Sequence, residues 1–174
     1  MIQRILCPTD LTQNSQSSVA YAFRLAKENA AQLIIFHATS FPSLSQYPCD
    51  LEPYYQWEQL VSKFKMERLL IDAERKVKNF VATRFGPESN GVAWQPRIAL
   101  GRVAEEITVA ALQEEVDLIV LARCRRGILA RIFTRSISEA VSKSPPCPVL
   151  SIDATQPIRR PPPLGRVPVL GEIG

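Results

Sequence analysis

The sequence predicts a single doubly wound α/β domain, a parallel sheet with helices on both faces. Short apolar runs alternate along the chain with stretches of helical period. The runs at residues 33–36 and 118–121 are continuously apolar rather than alternating, as strands covered on both sides require. Turn residues, many of them proline or glycine, close the runs.

Taken in order, Ile5, Leu6 and Cys7 form a strand stopped by the turn residues Pro8, Thr9 and Asp10. Over residues 15–30, Val19, Phe23, Ala26 and Ala30 recur at helical spacing. Leu33, Ile34, Ile35 and Phe36 make the second strand. Residues 39–53 hold three prolines and several serines and read as an excursion loop. A long helix follows over 55–85, burying Leu60, Phe64, Leu70, Val77 and Phe80 and stopped by Gly86 and Pro87.

The third strand spans 92–100, with Val92, Trp94 and Ile98 as its β-forming residues; Pro96 asks for an edge position or a bulge. Gly101 leads into a helix with Val103, Ile107, Ala110 and Ala111 on one face. Leu118, Ile119, Val120 and Leu121 form a central strand. Ser136 and Glu139 are spaced as a capping box for a short helix, which Pro145 and Pro146 end. Val149, Leu150, Ser151 and Ile152 make the last strand. Residues 1–153 thus form the domain, and 154–174, with five of the fourteen prolines, read as an extended Pro-rich tail.

Composition bounds the function classes. The chain has 174 residues, 46% hydrophobic and 22% charged, enough for one core without covalent staples. A net charge of +4 does not by itself imply a nucleic-acid partner. Cys7, Cys49, Cys124 and Cys147 show no CxxC pairing and His37 is the only histidine, so a structural zinc site is disfavoured. There is no signal-like opening and no apolar stretch near the roughly 18 residues of a membrane span. The expectation is a soluble, reduced, cytoplasmic chain with free thiols.

Doubly wound sheets bind ligands beyond the carboxyl ends of their strands, where strand order reverses. That directs attention to residues 8–12 and 122–135. At these loops and around them the chain resembles the universal stress protein family. The opening Arg4-Ile5-Leu6-Cys7-Pro8-Thr9-Asp10 is similar to the family's first strand and Pro-x-Asp turn. Gly101-Arg102-Val103-Ala104-Glu105-Glu106-Ile107 resembles the start of its third helix, and Asp117-Leu118-Ile119-Val120-Leu121 its fourth strand. Ser136-Ile137-Ser138-Glu139 through Pro146-Cys147-Pro148-Val149-Leu150 resembles its closing helix and strand. The likeness covers roughly residues 2–153. It implies a Rossmann-like five-stranded sheet of order 3-2-1-4-5, a role in stress response, and a homodimer paired through Val149, Leu150, Ser151 and Ile152.

The family's nucleotide-binding branch carries G-x-x-G, nine residues, then G-[ST]. Glycines there let the backbone approach phosphates, and the helix that follows offers free N–H groups. Counting back from Ser136, this chain has Arg135, Arg125 and Ala122 at the three glycine positions. The resemblance implies an ATP loop of degenerate form, with Pro8, Thr9, Asp10, Ala122, Arg123, Arg125, Arg135, Ser136 and Ile137 as its candidate residues.

Each candidate has a plainer reading beside the functional one. Asp10 matches the family position at the adenosine end, or it opens the loop and caps a helix through local hydrogen bonds. Ser136 meets a phosphate, or simply caps its helix with Glu139, and capping alone explains it. Arg123, Arg125, Arg126, Arg131 and Arg135 have no acidic residue among them. They grip phosphates by side chain, attract an acidic protein partner, or form a solvated basic loop. Only Phe133 interleaves with them, so a single-strand nucleic-acid platform is disfavoured. Cys7 and Cys124 would close neighbouring strands, and arginines nearby could lower a thiol pKa; quiet apolar cysteines are the commoner case. His37 has no acid–nucleophile set and reads as a satisfied rim histidine.

No catalytic constellation is visible, so the leading expectation is a non-catalytic regulatory protein acting by dimerisation and partner contact. The alternative is an adenine-nucleotide switch or very slow ATPase using the arginine-rich loop. A phosphorylated receiver is rejected, because Ala99, Leu100 and Gly101 stand where its acceptor Asp is required.

Overall fold

The computed structural model describes residues 2–39, 55–123 and 146–153, with the backbone alone at 55–64 and 123. Along the chain run β1 (Arg4–Pro8), α1 (Gln13–Asn29), β2 (Gln32–Thr39), α2 (Tyr55–Arg84) and α3 (Gly86–Ser89). They are followed by β3 (Trp94–Leu100), α4 (Val103–Gln113), β4 (Leu118–Arg123) and β5 (Val149–Asp153). The strands form one sheet in the order β3-β2-β1-β4-β5, every pairing parallel.

The chain steps outward from β1 to β3, then crosses back to β4 and β5, so order reverses between β1 and β4. The register sets Ile5 beside Leu33 on one side and beside Leu118 on the other. Because side chains alternate across a strand, one continuous apolar run feeds two cores. On the first face Ile5, Cys7, Leu33, Ile35 and Val120 pack with Val19, Phe23 and Ala26 of α1 and Val77 and Val81 of α2. On the second, Leu6, Ile34, Phe36, Ile119 and Leu121 pack with Ile107, Ala110 and Ala111 of α4. Helices therefore cover both faces, as the sequence predicts.

Several details differ from expectation: Pro8, read as a turn residue, is the last residue of β1, and β3 begins at Trp94 rather than at 92. Ala30 is exposed: α1 ends at Asn29, and Ala30 turns into the left-handed region (φ 51°) as its C-cap. Val103, at the first turn of α4, is 37% exposed, leaving Ile107, Ala110 and Ala111 as the buried seam. Thr39, expected in a loop, still belongs to β2. Gly86 and Pro87 end α2 but do not end helix, since Pro87 sits in the first turn of α3, where no N–H is needed. Phe85 at that junction packs on Phe23 at 5.9 Å between ring centroids and on Phe80 at 5.5 Å.

Pro96 lies on the edge strand β3, opposite Ile35, the first of the two placements it allowed. The Ser136 helix, the 154–174 tail, and the side chains of Leu60 and Phe64 lie outside the described residues.

Candidate functional site

The turn after β1 is built by a closed set of hydrogen bonds. Its first anchor is Thr9, which is 7% exposed. The Thr9 N–H donates to the Phe36 carbonyl at 2.8 Å, and the Thr9 carbonyl lies 2.9 Å from Nδ1 of His37. Two successive β2 residues thus hold both main-chain groups of one turn residue.

The hydroxyls beneath it have a deducible order. Ser15 Oγ donates its one hydrogen to the Thr12 carbonyl at 3.1 Å. The 2.7 Å contact between Thr9 Oγ1 and Ser15 Oγ must then be donated by Thr9. Thr9 Oγ1 in turn accepts the Leu11 N–H at 3.0 Å, and Leu11 takes the left-handed conformation (φ 62°) that closes the turn. Ser18 donates to the Ser15 carbonyl at 2.9 Å. Every hydroxyl in this buried set has a partner, which is the condition for burying it at low cost.

Asp10 is exposed on top of the turn. Its Oδ1 accepts both the N–H and the hydroxyl of Thr12, at 2.9 and 2.8 Å. Thr12 is the N-cap of α1, its hydroxyl accepting the Asn14 N–H at 3.2 Å. The helix cap considered for Asp10 is therefore made by Thr12, and Asp10 braces the cap from one residue removed. Sequence reasoning missed Thr12 and Ser15. The available signal was a hydroxyl residue just before the first apolar-periodic position.

Pro8, Thr9 and Asp10 stand at the carboxyl end of β1. Ala122, part-buried, and the backbone of Arg123 end the neighbouring β4. These five come together at the point where strand order reverses. Arg125, Arg135, Ser136 and Ile137 lie outside the described residues.

Cys7, by contrast, is fully buried, and burial pushes its thiol up to about 12, outweighing the opposing influence of the neighbouring Ser18 hydroxyl. Full burial disfavours a thiolate nucleophile at Cys7, one half of the redox pair considered from sequence. Cys124 lies outside the described residues. Among those residues no group of three His, Cys, Asp or Glu side chains is placed to hold a metal ion. Nor is any described helix long and apolar enough to cross a membrane.

The model of the universal stress protein family matches residues 1–152. The chain belongs to this family. A universal stress protein of Thermus aquaticus is 30% identical over 152 residues, covering 87% of this chain and 99% of the relative. The solved universal stress protein UspA from Lactobacillus plantarum is 26% identical over 87% of this chain and 97% of that one, with a TM-score of 0.55. A universal stress protein solved in complex with cAMP shares the fold, with 20% identity over 88% of this chain and 98% of that chain and a TM-score of 0.53. The family fold accounts for the sheet order and the switch point between β1 and β4. The cap network beneath Asp10 is built from this chain's own Thr9, Thr12 and Ser15.

Proposed function

We propose that this universal stress protein is a non-catalytic regulatory protein that works as a homodimer paired through β5. The observation that carries the reading is the contrast between the two edges of the sheet. Among the described residues β5 pairs only with β4, and β3 only with β2. An open edge invites pairing with another chain unless it is blunted. Pro96 blunts β3, whereas β5 from Val149 to Asp153 holds no proline.

The orientation of the β5 backbone supports the same reading. Ile119 donates to the Pro148 carbonyl at 3.0 Å, so 148, 150 and 152 turn their main chain toward β4. Val149 and Ser151 then turn theirs outward, available to a second β5 across a two-fold axis. Ser151→Pro removes an outward donor without touching the β4 ladder. Sedimentation equilibrium at high micromolar concentration is expected to give a dimer for the parent and a monomer for S151P. A parent protein that stays monomeric would sink the reading.

A second reading has its own observation. Only Oδ1 of Asp10 is engaged by Thr12, and a carboxylate has a second oxygen that can accept from a ribose hydroxyl or an adenine amino group. In that reading the arginines of residues 123–135 take the phosphates in place of the glycines, or serve an acidic partner. Calorimetric titration with ATP, with and without magnesium, tests it. Saturable micromolar binding supports the switch, and no heat at millimolar ATP removes it.

A further inference from the structure

The geometry points to His37 as a positioning residue for the Asp10 turn: fixed with its hydrogen on Nδ1, it sets the peptide that joins Thr9 to Asp10. The role rests, for its functional meaning, on the nucleotide reading of that turn. Its structural content stands apart from any ligand.

The argument begins with the partner of the ring. Nδ1 lies 2.9 Å from the Thr9 carbonyl, and a carbonyl only accepts. Nδ1 therefore carries the hydrogen, and in the neutral ring Nε2 keeps its lone pair. The carbonyl it holds belongs to the peptide whose nitrogen is that of Asp10, so the ring fixes the plane from which the carboxylate departs. On the other side, the Thr9 N–H is held by Phe36. Neither neighbouring peptide of Thr9 can then rotate without breaking a bond to β2.

From Thr9 the restraint passes outward through the side chain. Thr9 Oγ1 receives the Leu11 N–H and gives its hydrogen to Ser15, and Ser15 holds the Thr12 carbonyl. Thr12 holds Oδ1 of Asp10. The ring near the carboxyl end of β2 and the carboxylate after β1 are thus linked by hydrogen bonds that pass through Thr9, Ser15 and Thr12. His37 is half-buried on a strand whose preceding residues are apolar, Leu33 to Phe36 all fully buried. A polar ring at that place has this one described partner.

The test starts with the parent protein. Heteronuclear NMR of the imidazole is expected to show a hydrogen on Nδ1 and a bare Nε2 at neutral ring charge. The Nε2–H form would overturn the assignment at once. Next, amide exchange at Leu11 and Thr12 is compared among the parent, His37→Ala and His37→Asn. Asn presents an N–H close to where Nδ1 stood, so exchange should quicken in H37A and return toward the parent in H37N. Unchanged exchange in H37A, or no rescue by H37N, overturns the positioning role. With ATP as the probe, calorimetry should show affinity lower by about five- to tenfold in H37A, as loss of one positioning hydrogen bond predicts, and largely restored in H37N. If the parent binds no ATP while tautomer and exchange behave as stated, the nucleotide reading falls and the positioning role stands.

Discussion

Asp117 and Arg4 exchange two hydrogen bonds at the amino ends of β4 and β1. The Asp117 N–H donates to the Arg4 carbonyl at 2.9 Å, and the Arg4 N–H donates to Oδ2 of Asp117 at 2.9 Å. The same oxygen takes the Gln3 N–H at 2.7 Å. Asp117 thereby extends the β1–β4 pairing ahead of its first ladder position, Ile5 beside Leu118, with a side chain substituting for a carbonyl.

That clamp gives an acid-sensitive contribution to stability. The Arg4 and Gln3 N–H groups hold the Asp117 carboxyl below the usual carboxylate range. A carboxyl depressed in the folded state stabilises above its unfolded pKa, about 3.9, and that stability drains away as pH falls through the lower folded value. Asp117 is exposed, so screening keeps the effect small. Asp117→Ala should cost about 1 kcal/mol in urea unfolding at pH 7, with the gap to the parent narrowing as pH falls below the unfolded carboxylate value. A gap independent of pH would mean that charge plays no part.

The junction of β3 with α4 makes a second prediction. Gly101 has φ 155°, a conformation residues with a side chain rarely adopt, and its N–H donates to the Thr39 carbonyl at 3.1 Å. An added Cβ would lie 2.5 Å from Oε1 of Glu106 and 3.0 Å from its Cγ. Glu106 can swing away, but the backbone cannot relax without giving up its place beside β2. Gly101→Ala should destabilise by about 1–3 kcal/mol, and Glu106→Ala added to it should recover only the smaller, steric share. Full recovery in the double variant would show that backbone strain contributes nothing.

What was legible in the sequence follows from what is local. Unbroken runs such as 33–36 announce strands buried on both faces, and Pro96 narrows β3 to an edge or a bulge, of which the sheet takes the edge. The spacing of Ala30 continues the helical period, yet α1 ends at Asn29 and Ala30 is its left-handed cap. Val103 does lie in α4, but at its first turn the face it shares with Ile107 is still open to solvent. Asp117 was read only as the start of a strand, since its bonds to residues more than a hundred positions away depend on strand order and register. At the site, Pro8, Thr9, Asp10 and Ala122 could be gathered from the switch-point rule, whereas the hydroxyl chain from Thr9 to Thr12 required the turn's actual path.

Thiol chemistry yields a third prediction. Cys7 is pushed up to about 12 and Cys147 to about 11, in both cases chiefly by burial, with the Asp117 charge adding to the effect at Cys147. At pH 8 both are almost wholly thiols, and Cys7 has no solvent contact. Iodoacetamide treatment of the native protein, followed by peptide mapping, should leave both unmodified, and urea should expose them. Rapid native labelling of Cys7 would contradict its burial.

The last prediction separates the two duties of the Asp10 turn. Thr12 caps α1 through the Asn14 N–H and at the same time donates to Asp10, so its hydroxyl is the joint between helix and carboxylate. Thr12→Ala should cost about 1 kcal/mol, and Thr12→Ser should retain most of that stability. Asp10→Ala should cost less, because Asp10 is exposed and reaches the helix only through Thr12. If that route is the whole of its structural role, removing Asp10 in the Thr12→Ala background should change stability by less than it does in the parent. Thermal unfolding of the four proteins in the cycle measures the coupling. Strict additivity would mean that Asp10 and Thr12 act independently, and the carboxylate would then owe its position to something other than the cap.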